Sequence, residues 1–127
     1  MRKEAENWIK QAEADLKTSR DCLTAKNYYA GAFFAEQCAE KALKAYFIFS
    51  KNDTAPKTHN LFELAMAVSL PKELISVARK LTPDFIITRY PDAAGGIPAE
   101  LYDEESGRDA LKRAEVIFVW VKGKLEK

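Results

Sequence analysis

The sequence holds a single histidine and two cysteines, and it has almost no excess of either charge. One imidazole and two thiols without ligand spacing make no recognisable metal pattern, so neither a metal nor a cofactor is expected. Twenty basic residues against nineteen acidic ones leave +1, and no global field draws such a chain to DNA or to a membrane. Contact with nucleic acid would have to come from a local patch. Long apolar runs are missing too. The chain is charged from Arg2 onward, and no stretch fits a signal peptide or a membrane span. A cytoplasmic protein is expected.

What is present suits one globular domain spanning 1–127. The chain has 127 residues, 47% of them hydrophobic and 31% charged, enough to build a core without a disulfide staple. Cys22 and Cys38 fall in consecutive segments that read as an antiparallel helix pair turning near Lys26. Their offset of about eight residues is roughly 12 Å along the axes, too far for a bridge. Both are expected as small buried residues.

The first segment, about 2–25, places Ala5, Trp8, Ile9, Ala12, Leu16, Ser19 and Leu23 on one helical stripe. Its other face offers Glu6–Lys10 and Glu13–Lys17 pairs. Asn27 opens a second helix running to about Ser50, and 51–56 reads as loop. A third, shorter helix starts near Thr58 or Asn60, where Asn60 and Glu63 have capping-box spacing. Pro71 should stand at the first position of a fourth helix, and Thr82-Pro83-Asp84 should bend it or restart it with Thr82 as cap. Asp92–Ser106 is the longest expected loop, acidic and without the spacing of a calcium site. It is read as a mobile loop over a partner surface. Ser106 and Asp109 resemble the start of the last helix. Val116–Val121 is strand-like in composition, but helical charge patterns flank it and a lone strand has no partner. The expected fold is all-α: an up-and-down four-helix bundle with an additional short helix.

The second helix carries most information. Projected at 100° per residue, Phe34, Cys38, Ala39, Ala42, Leu43, Ala45, Tyr46 and Phe49 cover one side, while Glu36, Gln37, Glu40, Lys41 and Lys44 share the other. Tyr29, Phe33 and Phe47 fall among those charges. One reading is a solvated face with Glu40–Lys44 and Gln37–Lys41 contacts. The other is that this side, with its three rings, packs on a second copy of the chain.

Trp8, Ala12-Glu13-Ala14-Asp15-Leu16, the string from Tyr28 to Ala45 with its Gln37, Glu40, Lys41 and Lys44, then Thr58-His59-Asn60-Leu61 and Arg89-Tyr90-Pro91 resemble the HEPN family. HEPN stands for higher eukaryotes and prokaryotes nucleotide-binding domain. The resemblance covers nearly the whole chain. It implies a bundle of four or five helices, commonly a homodimer, and a link to nucleotides or RNA. It also implies a minimal nucleotidyltransferase as partner, in a two-component, toxin–antitoxin-like pair. Ribonucleases of the family carry Arg, four to six residues, then His. His moves a proton from the ribose 2′-hydroxyl and Arg stabilises charge on the phosphate, without a metal. Here Asn52, Asp53 and Thr54 stand five to seven residues before His59, and no histidine follows Arg89. The motif is absent.

His59 and Arg89 stay candidates for a catalytic pair formed through space, with His59 at a helix start and Arg89 at the end of the next helix. The bland alternatives are a capping or packing histidine and an arginine favoured at a helix C-terminus. The candidate ligand contacts are Gln37, Glu40, Lys41, Lys44, Arg89 and Tyr90. If Arg89 pairs with Glu40 the cluster is structural. If Arg89, Lys41 and Lys44 converge without enough acid, the cluster wants an anion. The tail from Arg108 to Lys127, locally +3, reads as a solvated face. A dimeric nucleotide- or anion-binding module is the leading expectation, a divergent metal-independent ribonuclease the alternative.

Overall fold

The computed structural model describes residues 1–126. Three long helices carry the fold: α1 (Lys3–Thr24), α2 (Tyr28–Lys51) and α8 (Glu104–Leu125). Between α2 and α8 the chain runs through α3 (Leu61–Ala67), α4 (Lys72–Leu81) and three single turns, α5 (Asp84–Ile87), α6 (Pro91–Ala94) and α7 (Pro98–Leu101). There is no strand among the described residues, and the fold is all-α as the periodicity requires. Val116–Val121 lies inside α8. Lys127, the last residue of the basic tail, lies outside the described residues.

The α1 stripe is buried almost as projected: Ala5, Ile9, Ala12, Leu16, Ser19 and Leu23 face inward, with Asp15 among them. Trp8 is half-buried against the core. Contacts along the helices fix their directions. Ser19 Oγ donates to the Gly31 carbonyl at 2.7 Å, and Lys44 lies over the Trp8 ring, so α1 and α2 are antiparallel. Arg20 bonds Glu115 and Lys122 bonds Glu13, so α8 is antiparallel to α1 and parallel to α2. An up-and-down order gives this arrangement.

One end of the three long helices is unusually close. The Leu23 side chain sits between Gly31 and Gly107. A Cβ on Gly31 would lie 2.6 Å from Leu23 Cδ2, and one on Gly107 2.8 Å from the same atom. Glycine is required at both places because neighbouring helices approach within side-chain distance. Lys26, with φ 64°, turns the chain from α1 into α2. Asn52, also left-handed, closes α2 as asparagine often does.

Several expected boundaries move by a residue or more. Pro71 flanks α4 as its N-cap, one position before the expected first turn, because its extended backbone (ψ 149°) precedes the helix. Thr82 does not cap the next turn. Its hydroxyl accepts from the Leu61 amide at 2.8 Å, joining the α4 end to the α3 start. Asn60 caps α3 by accepting from the Glu63 amide, but Glu63 closes no reciprocal box and takes the Thr58 hydroxyl instead. Asp92–Ser106 is not one loop. Pro91 and Pro98 each open a helical turn, and α8 begins two residues before Ser106. Asp103 is its cap, in a reciprocal box with Ser106. Neither projected pair on α1 forms among the described residues: Glu13 meets Lys122, and Lys17 meets Asp21. Cys38 is buried and Cys22 only half-buried, and both are free thiols. Burial pushes both thiols up.

Candidate functional site

The polar sector of α2 is not a solvated face. α2 is the central helix, covered by α1, by α8 and by the α3–α7 segment, and it is buried nearly all round. Glu36, Glu40 and Lys44 are all buried, at 0%, 4% and 5% exposure. The projection misled because it sorted residues by polarity, whereas each of these groups has a neighbour folded over it from elsewhere in the chain.

Lys41 and Lys44 do not converge with Arg89. Lys41 turns to α1 and pairs with Asp15 at 2.5 Å, and Gln11 donates to the other oxygen of the same carboxylate at 2.9 Å. The expected Gln37–Lys41 contact is absent; Gln37 Nε2 donates to Glu36 Oε1 at 2.8 Å. Lys44 Nζ does meet Glu40, at 3.1 Å, but inside the protein. The other Glu40 oxygen lies 3.1 Å from His59 Nδ1. A carboxylate only accepts, so Nδ1–H donates and His59 Nε2 is left outward on a half-exposed ring. His59 is neither the cap of α3, which is Asn60, nor a core residue.

Arg89 has no carboxylate partner among the described residues. It follows α5 and folds back on its own turn, donating to the Phe85 carbonyl at 2.9 Å. Its guanidinium carbon lies 4.0 Å from the Phe85 ring centre and 4.4 Å from that of Phe33. The His59 ring stacks on Phe85 at 4.4 Å and 13°. His59 and Arg89 therefore meet at one aromatic ring, an arrangement no local spacing in the sequence announces. Tyr90, the next residue, is extended before Pro91 and 49% exposed.

Glu36 has a chemistry of its own that its place among the α2 charges does not signal. One oxygen takes the Gln37 amide, and Oε2 has no hydrogen-bond partner at all. Burial raises its carboxyl to about 8, with Glu40 and Asp84 adding to the rise and Gln37 and Arg89 opposing it. At neutral pH it is held mostly as the acid. Asp84, also raised by burial, takes the Tyr102 hydroxyl and ties α5 to the residues before α8. Burial, with Asp84 beside it, pushes the Tyr102 phenol up in turn. The only sequence signal for this cluster is an acid inside a run of alanines and aromatics.

Tyr29, Phe33 and Phe47 are half-buried by the chain itself. Phe33 packs edge-on to Phe34 at 5.0 Å and under Arg89, and Phe47 packs against the core. These rings are not left to water in a single copy. Val119 at 67% and Val116 at 43%, both on α8, are more exposed. No group of three or more candidate metal ligands occurs among the described residues, and no described helix is long and apolar enough to cross a membrane.

A family profile described as the HEPN domain matches residues 5–124. The chain is 29% identical to a protein of Methanocaldococcus jannaschii named "Putative toxin MJ1304", over 94% of this chain and 87% of that one. Two crystal structures are similar. That of TT1696 from Thermus thermophilus superposes with a TM-score of 0.87 at 30% identity, covering 97% of this chain and 99% of the other. That of ST0689, an archaeal HEPN homologue, gives 0.83 at 33% identity, covering 97% and 98%.

Proposed function

The chain belongs to the HEPN domain family, and from that premise we propose that it is a nucleotide- or anion-binding interaction module of a two-component, toxin–antitoxin-like system. Its partner in this proposal is a minimal nucleotidyltransferase. The likeness to a protein named as a putative toxin supports the setting. The observation that carries the binding role is Arg89. It is the one candidate cation of the Lys41, Lys44 and Arg89 set with no acid against it among the described residues, and it stands beside the exposed Tyr90. A planar fork held by two rings and a carbonyl keeps donors for a phosphate. Lys41, answered by Asp15, contributes little to ligand in this reading.

Titration calorimetry with nucleotides tests the binding role, and co-purification from the native host tests the partner. Arg89→Ala should weaken nucleotide binding by about tenfold or more while the fold is kept, since a charge-assisted bond is lost. Binding unchanged in that variant would remove Arg89 from the site. Self-association is part of the proposal, through the uncovered edges of Tyr29, Phe33 and Phe47. Sedimentation should show a dimer that Phe33→Ala weakens. A dimer abolished instead by Val119→Glu would place the contact on α8.

The meeting of His59 and Arg89 at Phe85 favours a second reading, a metal-independent ribonuclease. Glu40 holds Nδ1–H, which leaves Nε2 to accept a proton. In that case His59→Ala abolishes cleavage of a generic RNA at unchanged folding. Retained cleavage rules the mechanism out.

A further inference from the structure

From Leu111 to the C-cap, the exposed residues of α8 are Lys112, Val116, Val119, Gly123 and Glu126. They follow one another at intervals of four, three, four and three residues, the spacing at which one helix packs lengthwise on another. The row is about 21 Å long. Its two ends carry opposite charges, and its three inner positions have no polar side-chain atom. Val119 is 67% exposed and Val116 43%. The outer face of a solvated helix is ordinarily polar along its middle, and this one is not.

Gly123 and the surface beside the row point the same way. A Cβ on Gly123 would meet nothing within 4 Å, unlike one on Gly31 or Gly107. Glycine inside a helix is destabilising relative to alanine, and the packing of this chain does not call for it there. A bare position on an outer face lets a neighbouring helix come close. Alongside runs an apolar groove of about 760 Å³, walled by Pro71 and Leu74 on the α4 side and by Val116, Val119 and Trp120 on the α8 side. The flanking Glu115 and Lys122 are taken by Arg20 and Glu13, whereas Lys112 and Glu126 form no ion pair among the described residues.

The row is complementary to itself. With a second α8 laid antiparallel and Val119 on the two-fold axis, Lys112 faces the partner's Glu126 and Val116 lies over the partner's Gly123. A parallel pairing in register would set like charges together instead. We propose that the outer face of α8 seats α8 of a second copy, antiparallel about Val119. This contact is on a different helix from Tyr29, Phe33 and Phe47, so a chain that uses both faces assembles beyond a dimer. A contact of this length is at the small end of specific interfaces, and the association is weak and concentration-dependent.

The test is sedimentation of the whole chain over a range of concentrations, with and without Phe33→Ala. Self-association through α8 is expected to survive Phe33→Ala. Val119→Glu, on an exposed position, should keep the fold and weaken the surviving association at least about hundredfold, because it brings two carboxylates together away from water. Lys112→Glu alone and Glu126→Lys alone should each weaken it about tenfold, since either one turns both end pairs into like charges. Mixing these two single variants in equal amounts should restore it, because each end then meets its opposite. Association indifferent to Val119→Glu overturns the α8 contact and leaves the α2 ring contact standing. Association lost in Val119→Glu and in both charge variants, yet not restored by the mixture, overturns the antiparallel pairing. Single chains at every concentration overturn both contacts.

Discussion

Glu36 and Glu40 stand one turn apart on the same face of α2, both buried, yet their surroundings are opposite. Glu40 has both oxygens answered, one by Lys44 and one by His59. Glu36 has one oxygen on a neutral amide and one on nothing, and the cation that acts on it, Arg89, spends its bond on a carbonyl. The difference is a matter of which segment folds over each turn. The α2–α3 connection brings a histidine to Glu40. The α5 turn brings Phe85 and an arginine that prefers the aromatic faces to the acid. A buried carboxyl with a cation is an ion pair, and a buried carboxyl without one is an acid.

The largest effect should come from breaking the answered side. Glu40→Ala strands the Lys44 ammonium and releases His59, which should cost roughly 3–5 kcal/mol in urea unfolding, the usual penalty for halving a buried pair. Adding Lys44→Met to that variant should recover much of the loss. A cost below about 1 kcal/mol would mean water reaches the pair and would erase the contrast.

The unanswered side makes a smaller and more specific prediction. The folded-state carboxyl of Glu36 sits at about 8, above its ordinary 4.5. The folded chain therefore holds a proton that the unfolded chain has already released. This contribution to stability is full below pH 4.5 and is lost as pH rises through 8. Melting temperature should fall across that window, and Glu36→Gln should flatten the fall. An equally steep fall in the variant would assign the slope to another group.

The smallest effect belongs to the surface. Lys17–Asp21 is an exposed pair one turn apart, so Lys17→Ala should leave the melting temperature within error. A measurable loss there would show that exposed and buried pairs in this bundle differ less than their burial implies.

The long helices were legible because their apolar stripes repeat at helical spacing, and the α1 stripe from Ala5 to Leu23 is buried nearly residue for residue. The single turns α5–α7 were not, since four residues carry no periodicity and only Pro91 and Pro98 mark them. Candidate residues fared unevenly for a physical reason. A projection assumes that a helix has an outside, and α2 has little of one. It gave Lys41 and Lys44 a common purpose, although Asp15 and Glu40 hold them separately. It left Glu36 as one charge among several. The meeting of His59 with Arg89 depends on Phe85, which lies one turn before Arg89 but reaches the His59 ring only after α3 and α4 have brought the chain back.

The seam at Leu23 has a mechanical consequence. Three helix ends are locked where two hydrogens replace side chains, so the bundle has its fulcrum there. Trp8 lies about fifteen residues along α1 from that point, a lever of roughly 22 Å. A tilt of about 3° at the fulcrum displaces the tip by about 1 Å. The Trp8 end of α1 thus moves by a measurable amount for a small tilt at the far end of the helix, and a methyl group placed on Gly31 should be felt there.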